Sequence, residues 1–140
     1  MLTVETFSLE MSTKAGIDIL DLTSQVQELV GGSGVTQGLV NLFISGSTAA
    51  LTTIEYETGV VNDLRAAIER LFPRDIPYEH DRRWGDGNGH SHVRASLLGA
   101  SLAVPFIGGI LTLGTWQQII YIDFDIRPRH REIIAQIMGE

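Results

Sequence analysis

Apolar residues recur at helical intervals in two stretches of the chain. The stripe over residues 22–30 predicts a short helix that the Gly31-Gly32 pair ends. The longer stripe over residues 60–72 predicts a second helix, and Pro73 stops it because proline disfavours helical backbone in the residue before it. Two main helices are therefore expected.

Elsewhere the apolar positions follow the period of a β-strand. Alternation or short runs of strand-forming residues predict strands at residues 2–11, 38–44, 49–57, 101–106, 110–113, 116–126 and 132–138. In residues 116–126, Ile120, Ile122 and Phe124 alternate with Tyr121 and Asp123, which is typical of a sheet with one covered face. The chain lacks a strand-helix-strand rhythm, so the pattern predicts an α+β fold with largely antiparallel sheets.

Composition and length restrict this picture to one globular unit. The 140 residues, of which 44% are hydrophobic and 19% charged, fit one domain over residues 1–140 with a single core. No apolar run is long enough to cross a bilayer and the N-terminal segment lacks an export signal, so we expect a cytoplasmic protein without membrane contact. The absence of cysteine leaves histidine, carboxylate or water to bind any metal.

The net charge of −7 argues against general nucleic-acid binding, because backbone phosphates would be repelled. One basic cluster near the C-terminus stands out from this acidic average. It consists of Arg127, Arg129, His130 and Arg131, and it is interpreted as a solvated turn or a subunit contact.

Residues 73–89 combine prolines, glycines and charges, and this composition predicts an irregular loop followed by a short helical turn over residues 92–98. Three of the four histidines lie in or just after it: His80, His90 and His92. If residues 89–93 are extended, as the flanking glycines favour, His90 and His92 project from one face. With His80 they would form a three-histidine site with one open position, an arrangement that suits zinc.

Two other interpretations of this segment stay open. The histidines satisfy backbone groups at a surface or subunit contact, or the segment binds an anion without metal. In the second case Arg82, Arg83, Arg94 and the amides of residues 87–89 would hold a phosphate. Carboxylates that could orient a ligand histidine or act as a base are Glu55, Glu79 and Asp81.

Three further features carry weaker signals. Ser47 and Thr48 follow a predicted strand and offer hydroxyls to a phosphate, although turns use the same residues for their own hydrogen bonds. Glu55 would share a strand face with Glu57, as on an ordinary solvated edge. Trp116 is more typical of a core or an interface than of a substrate platform.

The sequence resembles the YjbQ family along essentially the whole chain. The resemblance is carried by Gly114-Thr115-Trp116-Gln117, residues 92–99, residues 47–52, Tyr78-Glu79-His80 and the closing residues 136–140, in the expected order. It implies a YjbQ-like α+β fold with sandwich-like sheets and a homotrimer. It also implies a secondary thiamine-phosphate synthase activity, which joins a hydroxymethylpyrimidine diphosphate to a thiazole phosphate with loss of pyrophosphate.

Many members of that family carry a histidine where this chain has Gly46, whereas His80 and His92 match two other family histidines. We therefore hypothesise that His90 supplies the missing imidazole. On this hypothesis His80, His90 and His92 bind a divalent metal, with zinc the first expectation.

The remaining candidate roles follow from that activity. Asp81 or Glu55 would act as a base or orienting carboxylate, and Arg94 would support catalysis by facing phosphate oxygens. The expected phosphate and substrate contacts are Ser47, Thr48, Arg82, Arg94, Trp116 and Gln117. A metal-dependent phosphate-ester hydrolase and a non-catalytic trimeric binding protein for a phosphorylated metabolite are the alternatives, and the products formed would separate them.

Overall fold

The computed structural model describes residues 1–140 and contains eight strands and four helices. The strands are β1 (Thr3–Thr13), β2 (Asp18–Asp21), β3 (Gln37–Ile44), β4 (Ala49–Ile54), β5 (Ser101–Ile107), β6 (Ile110–Leu111), β7 (Gln118–Asp123) and β8 (Arg129–Gly139). The helices are α1 (Thr23–Gly32), α2 (Thr58–Leu71), α3 (Glu79–Trp84) and α4 (Gly89–Leu98). None of the helices combines the length and the apolar character that a membrane span requires.

The strands form two sheets in which every pair is antiparallel. The larger sheet has the order β1-β8-β3-β5-β6, and the smaller has the order β2-β7-β4. The predicted α+β class with largely antiparallel pairing is therefore confirmed. Strand β2 was not predicted, because four residues give too little alternation to recognise.

Two apolar clusters divide the molecule into three layers. The larger cluster lies between the two sheets and includes Val40 and Leu42 of β3, Tyr121 of β7 and Ile133 of β8. The smaller cluster covers the other face of the three-stranded sheet, where Ile120 and Ile122 of β7 pack against Ile68 of α2 and Ala95 of α4. The two sheets thus form a sandwich, and the helices α2 and α4 cover its smaller sheet.

Strand β7 shows why its sequence pattern was misinterpreted. The alternation over residues 116–126 predicts one covered face, but residues 119–125 are all buried because the strand lies in the middle layer. Tyr121 and Asp123 face the other sheet, and the Tyr121 hydroxyl donates to Asp123 Oδ2 at 2.6 Å. The polar residues of the alternating pattern therefore lie in the interior, and the prediction of one solvated face is wrong.

Helix α2 confirms the clearest helical stripe and supports the helical layer. Its N-terminal cap is Glu57, whose carboxylate accepts hydrogen bonds from the amides of Gly59 at 2.9 Å and Val60 at 2.7 Å. These backbone hydrogen bonds lower the pKa of Glu57. The chain leaves the helix at Phe72, as the following Pro73 requires.

Residues 73–99 depart most from the predicted structure. The stretch predicted as an irregular loop contains α3, and residues 89–93, predicted as extended, begin α4. Gly89 is required for a packing reason: a Cβ at this position would lie 2.6 Å from the Cβ of Tyr78. The glycine thus permits close approach inside a helix and does not indicate extended backbone.

Candidate functional site

The segment between α2 and β5 forms a helical pair that carries three histidines. Helix α3 ends at Gly85, whose φ of 66° is the left-handed conformation that glycine adopts readily. The chain then turns back and enters α4 at Gly89, whose amide donates to Asp81 Oδ1 at 2.8 Å. This hydrogen bond fixes the start of α4 against α3.

His80 lies at the centre of a group of potential metal ligands. Its Nδ1 is 3.3 Å from Asp86 Oδ1 and 3.6 Å from Asp81 Oδ1, and one donor atom from each of the three residues lies within 4.8 Å of the others. The His92 ring lies beside it, with the ring centroids 4.5 Å apart. The three residues His80, Asp81 and Asp86 are called the His80 cluster below.

The His80 cluster has the polarity of a cation site. Nδ1 of His80 is buried and makes no hydrogen bond, although two carboxylate oxygens approach it. Carboxylates only accept hydrogen bonds, so a neutral nitrogen facing them with its lone pair would be repelled. A proton on that nitrogen or a metal ion among the three groups removes this repulsion, so the donor set fits a divalent cation.

Backbone amides hold the two carboxylates of the cluster in place. Asp81 Oδ1 accepts from the Gly89 amide, and Asp86 Oδ1 accepts from the Asn88 amide at 3.1 Å. The buried Asn88 side chain is itself anchored, because its Nδ2 donates to Asp125 Oδ2 at 3.2 Å. The donor groups of the His80 cluster are therefore oriented by groups behind them, the arrangement expected at a metal site.

His90 occupies a different environment from His80 and His92. Two residues along a helix turn a side chain by about 200°, so the helical form of residues 89–93 separates His90 from His92. His90 is only 3% exposed, and its ring lies 6.3 Å from that of Tyr78. Burial, followed by the charges of Arg94 and Arg74, lowers the pKa of His90.

The structure thus brings together two of the three predicted histidine ligands and adds two aspartates. Asp81 was expected as an orienting carboxylate or base, whereas Asp86 was missed. A signal for Asp86 was present in the Asp-Gly-Asn sequence, because an aspartate side chain in a turn commonly accepts from the backbone amide two residues further on.

Arg94, predicted to face phosphate, is occupied inside the protein. Its side chain is 2% exposed and donates through Nε and Nη2 to the carbonyl oxygen of Phe72, at 3.0 and 2.9 Å. It also lies 3.2 Å from Glu69. These contacts join the C-terminal end of α2 to α4, so the observed role of Arg94 is structural.

Ser47 and Thr48 separate into two environments. Thr48 is buried and donates to Asp125 Oδ2 at 3.0 Å. Ser47 is exposed and lines a cleft of about 250 Å³ with Ala95 and Ser96 of α4 and with Gly99, which follows the helix. Ala95 and Ser96 follow His92 by three and four positions, which puts the cleft on the same helix face as His92.

The other predicted contacts lie elsewhere. Glu55 is exposed just beyond the end of β4 opposite to Thr48, about 20 Å away by strand length. Gln117 lies at that same end, where its Nε2 donates to Thr53 Oγ1 at 3.0 Å, and Trp116 is 73% exposed. Only Arg82, exposed on α3, is on the same helix as His80.

A buried ionic network was not predicted. Arg131, interpreted as part of a solvated or subunit-contact cluster, is 12% exposed and donates to Asp123 Oδ2 at 2.8 Å. Arg129 pairs with Asp125 at 3.1 Å. Asp125 loses solvation on burial, but hydrogen bonds from the Arg127 amide, Asn88 and other donors prevail and lower its pKa.

Comparison with known proteins agrees with this architecture. A family model described as UPF0047 protein YjbQ-like matches residues 7–140. A UPF0047 protein of Methanothermobacter thermautotrophicus is 36% identical over 137 residues, covering 98% of this chain and 94% of that protein. A UPF0047 protein of Archaeoglobus fulgidus is 38% identical over 130 residues, covering 93% of this chain and 98% of that protein.

Solved structures show the same fold. A YbjQ-like protein of unknown function from Sulfolobus solfataricus P2 superposes with a TM-score of 0.94 at 31% identity over the full length of both chains. A YjbQ/UPF0047 protein from Clostridium acetobutylicum gives a TM-score of 0.85 at 32% identity, covering 94% of this chain and 98% of that chain. The resemblance inferred from the sequence is confirmed, and the chain belongs to the YjbQ-like UPF0047 family.

Proposed function

We propose that the chain is a metal-dependent transferase of the thiamine-phosphate synthase type. It would join a hydroxymethylpyrimidine diphosphate to a thiazole phosphate and release pyrophosphate. The observation that carries the proposal is the His80 cluster with His92 beside it. A divalent cation there would neutralise the charge that develops on a leaving diphosphate, which is the main electrostatic demand of such a transfer.

The surroundings of the cluster support a phosphorylated substrate. Arg82 and Arg83 are exposed on α3, the helix that carries His80 and Asp81. The cleft lined by Ser47 and Ser96 lies on the α4 face that carries His92, and the exposed Ser47 hydroxyl would donate to a phosphate oxygen there. Arg94, Thr48, Glu55, Trp116 and Gln117 take no part in this version of the site, because their contacts or positions lie elsewhere.

Zinc is the proposed metal, bound by His80, Asp81 and Asp86 and completed by His92. Zinc accepts imidazole nitrogen and carboxylate oxygen in a four-coordinate arrangement, so this mixed donor set is compatible with it. Mn²⁺ accepts the same donors and is the relevant competitor.

The proposed assembly is a homotrimer that covers the outer face of the five-stranded sheet. That face exposes Leu39 (42%) of β3 beside its register partner Met138 (41%) of β8, and Phe43 (45%) four residues further along β3. Exposed apolar residues gathered on one sheet face support a protein contact there. The choice of three subunits comes from the resemblance to the YjbQ family.

The test has two parts, metal content and products. Protein purified without added metal is analysed for bound ions, and the loaded protein is then incubated with the two substrates. The proposal expects about one metal ion per chain and pyrophosphate formed only when both substrates are present. Inorganic phosphate from one substrate would instead indicate a hydrolase, and stoichiometric ligand retention without turnover would indicate a binding protein.

A further inference from the structure

An exposed tryptophan, Trp84, is the last residue of α3. Trp84 is 66% exposed, although indole is a costly side chain to leave in water. The Arg83 guanidinium carbon lies 5.3 Å from its ring centroid, a cation–π distance that orients the indole from one side. The ring thus has a cationic neighbour on one side while most of its surface stays accessible.

Its position in the helix relates the indole to the His80 cluster. Trp84 follows Asp81 by three residues and His80 by four, the two spacings that put helical side chains on a shared face. Helical side chains also lean toward the preceding turn, so the indole is directed along this face toward the turn that carries His80 and Asp81. An accessible aromatic surface therefore shares a helix face with two of the proposed metal ligands.

We propose that Trp84 is the platform on which a planar heteroaromatic ring of the substrate stacks while its phosphate groups reach the metal. This inference rests on the proposed function and adds a residue that selects the substrate. Stacking favours any flat ring, and the cluster with Arg82 and Arg83 favours the attached phosphates. The site would therefore prefer phosphorylated heteroaromatic compounds to inorganic pyrophosphate or sugar phosphates.

The chain has only two tryptophans, so Trp116→Phe leaves Trp84 as its single indole reporter. The zinc-loaded variant is titrated with cytidine 5′-diphosphate, which combines a planar base with a diphosphate, and separately with inorganic pyrophosphate. We expect cytidine diphosphate to quench Trp84 fluorescence and to bind at least about 5-fold tighter than pyrophosphate, the advantage of one stacked base.

Variants at Trp84 in the otherwise unchanged protein complete the test, with affinities measured by calorimetry. Trp84→Leu should reduce cytidine diphosphate affinity to that of pyrophosphate and leave zinc affinity unchanged, and Trp84→Phe should restore part of the preference. Equal affinities for the two ligands in the wild-type zinc protein would overturn the stacking proposal and leave the proposed function standing.

Two other results would also overturn it. If Trp84→Leu changed the oligomeric mass without changing the ligand preference, Trp84 would be an assembly contact. If the wild-type protein bound no metal, both the stacking proposal and the proposed function would fail.

Discussion

At the scale of single residues, the chemistry of the candidate site depends on which side-chain groups surround His80. Its buried Nδ1 faces the carboxylates of Asp81 and Asp86, and each carboxylate also accepts an amide hydrogen bond. A cation satisfies all three acceptors at once. Removing the charge of either carboxylate while keeping its accepting oxygen should therefore weaken metal binding and preserve the amide hydrogen bonds that position α4.

The first prediction concerns Asp86. Asp86→Asn keeps the shape of the side chain and removes its charge, so zinc affinity should fall at least about 10-fold. Competition with a chelating dye measures the affinity. Asp63→Asn, an exposed carboxylate change on α2, is the control and should leave zinc affinity unchanged. Equal affinities in the two variants would remove Asp86 from the ligand set.

The second prediction separates structural from substrate roles at Arg94. Arg94→Met would leave the Phe72 carbonyl and Glu69 without their buried donor. We expect the free energy of unfolding, measured in urea, to fall by about 2–4 kcal/mol. Zinc affinity should be unchanged at urea concentrations below the unfolding transition. A fully stable variant that had lost phosphate-ligand binding would instead support the sequence-based assignment of Arg94.

At the scale of secondary structure, the sequence predicted those helices and strands that bury one face and therefore show a regular pattern of apolar residues. Helices α1 and α2 and most strands lie close to their predicted bounds. Asp123 shows why β7 was misinterpreted, because polar residues usually mark solvent but here form an interior ion pair with Arg131. Gly89 shows the same limit, since a close contact with Tyr78 is invisible in the local sequence.

Candidate site residues were predictable to the extent that they lie in one segment. His80, His92 and Asp81 belong to a histidine-rich stretch that attracts attention by composition alone. The separation of His90 from His92 could not be predicted from their spacing. A strand places residues 90 and 92 on the same side, whereas a helix places them on different sides. Tertiary packing of α4 on β4 decided between them.

The third prediction tests the packing that positions α4. Gly89→Ala puts a methyl group 2.6 Å from the Tyr78 Cβ, so α4 must shift at its first residue. We expect a loss of about 1–3 kcal/mol in unfolding free energy, together with weaker zinc binding because the Gly89 amide orients Asp81.

The matched control is Gly32→Ala in α1. A Cβ there meets nothing within 4 Å and the backbone is helical, so stability should stay the same or rise by up to about 1 kcal/mol. If both variants had the same stability and zinc affinity, close approach at Gly89 would not position the site.

At the scale of the whole molecule, a buried ionic network connects the histidine helices to both sheets. Asp125 accepts from Thr48, which precedes β4, and from Asn88, which precedes α4, and it pairs with Arg129 of β8. Asp123 of β7 pairs with Arg131 of β8. The site therefore rests on contacts between layers that are far apart in sequence.

The fourth prediction is the acid response of this network. Hydrogen bonds lower the folded-state pKa of Asp125 from its ordinary value, so its stabilisation is present above the unfolded-state pKa and is lost as pH falls through the folded-state value. Asp125→Asn should be less stable than the wild type in urea at pH 6, and the difference should shrink toward pH 3. A difference independent of pH would contradict the assignment of charge to Asp125.

The fifth prediction concerns the outer face of the five-stranded sheet. Phe43→Lys adds a charge to the exposed apolar residues of that face and should convert the proposed trimer to a monomer in light scattering, because burying an unpaired ammonium is costly. Asn62→Lys, an exposed change on α2, serves as the control and should retain the mass. Unchanged mass in Phe43→Lys would place the assembly contact elsewhere.

In the proposed site a metal binds His80 and His92 while His90 stays in the interior. The chain has four histidines, so nitrogen-15 imidazole spectra recorded during a zinc titration can follow each ring. We expect the signals of His80 and His92 to change by one equivalent of zinc while those of His90 and His130 stay constant. Simultaneous changes at His80, His90 and His92, or no change at His80, would rule out this arrangement of ligands.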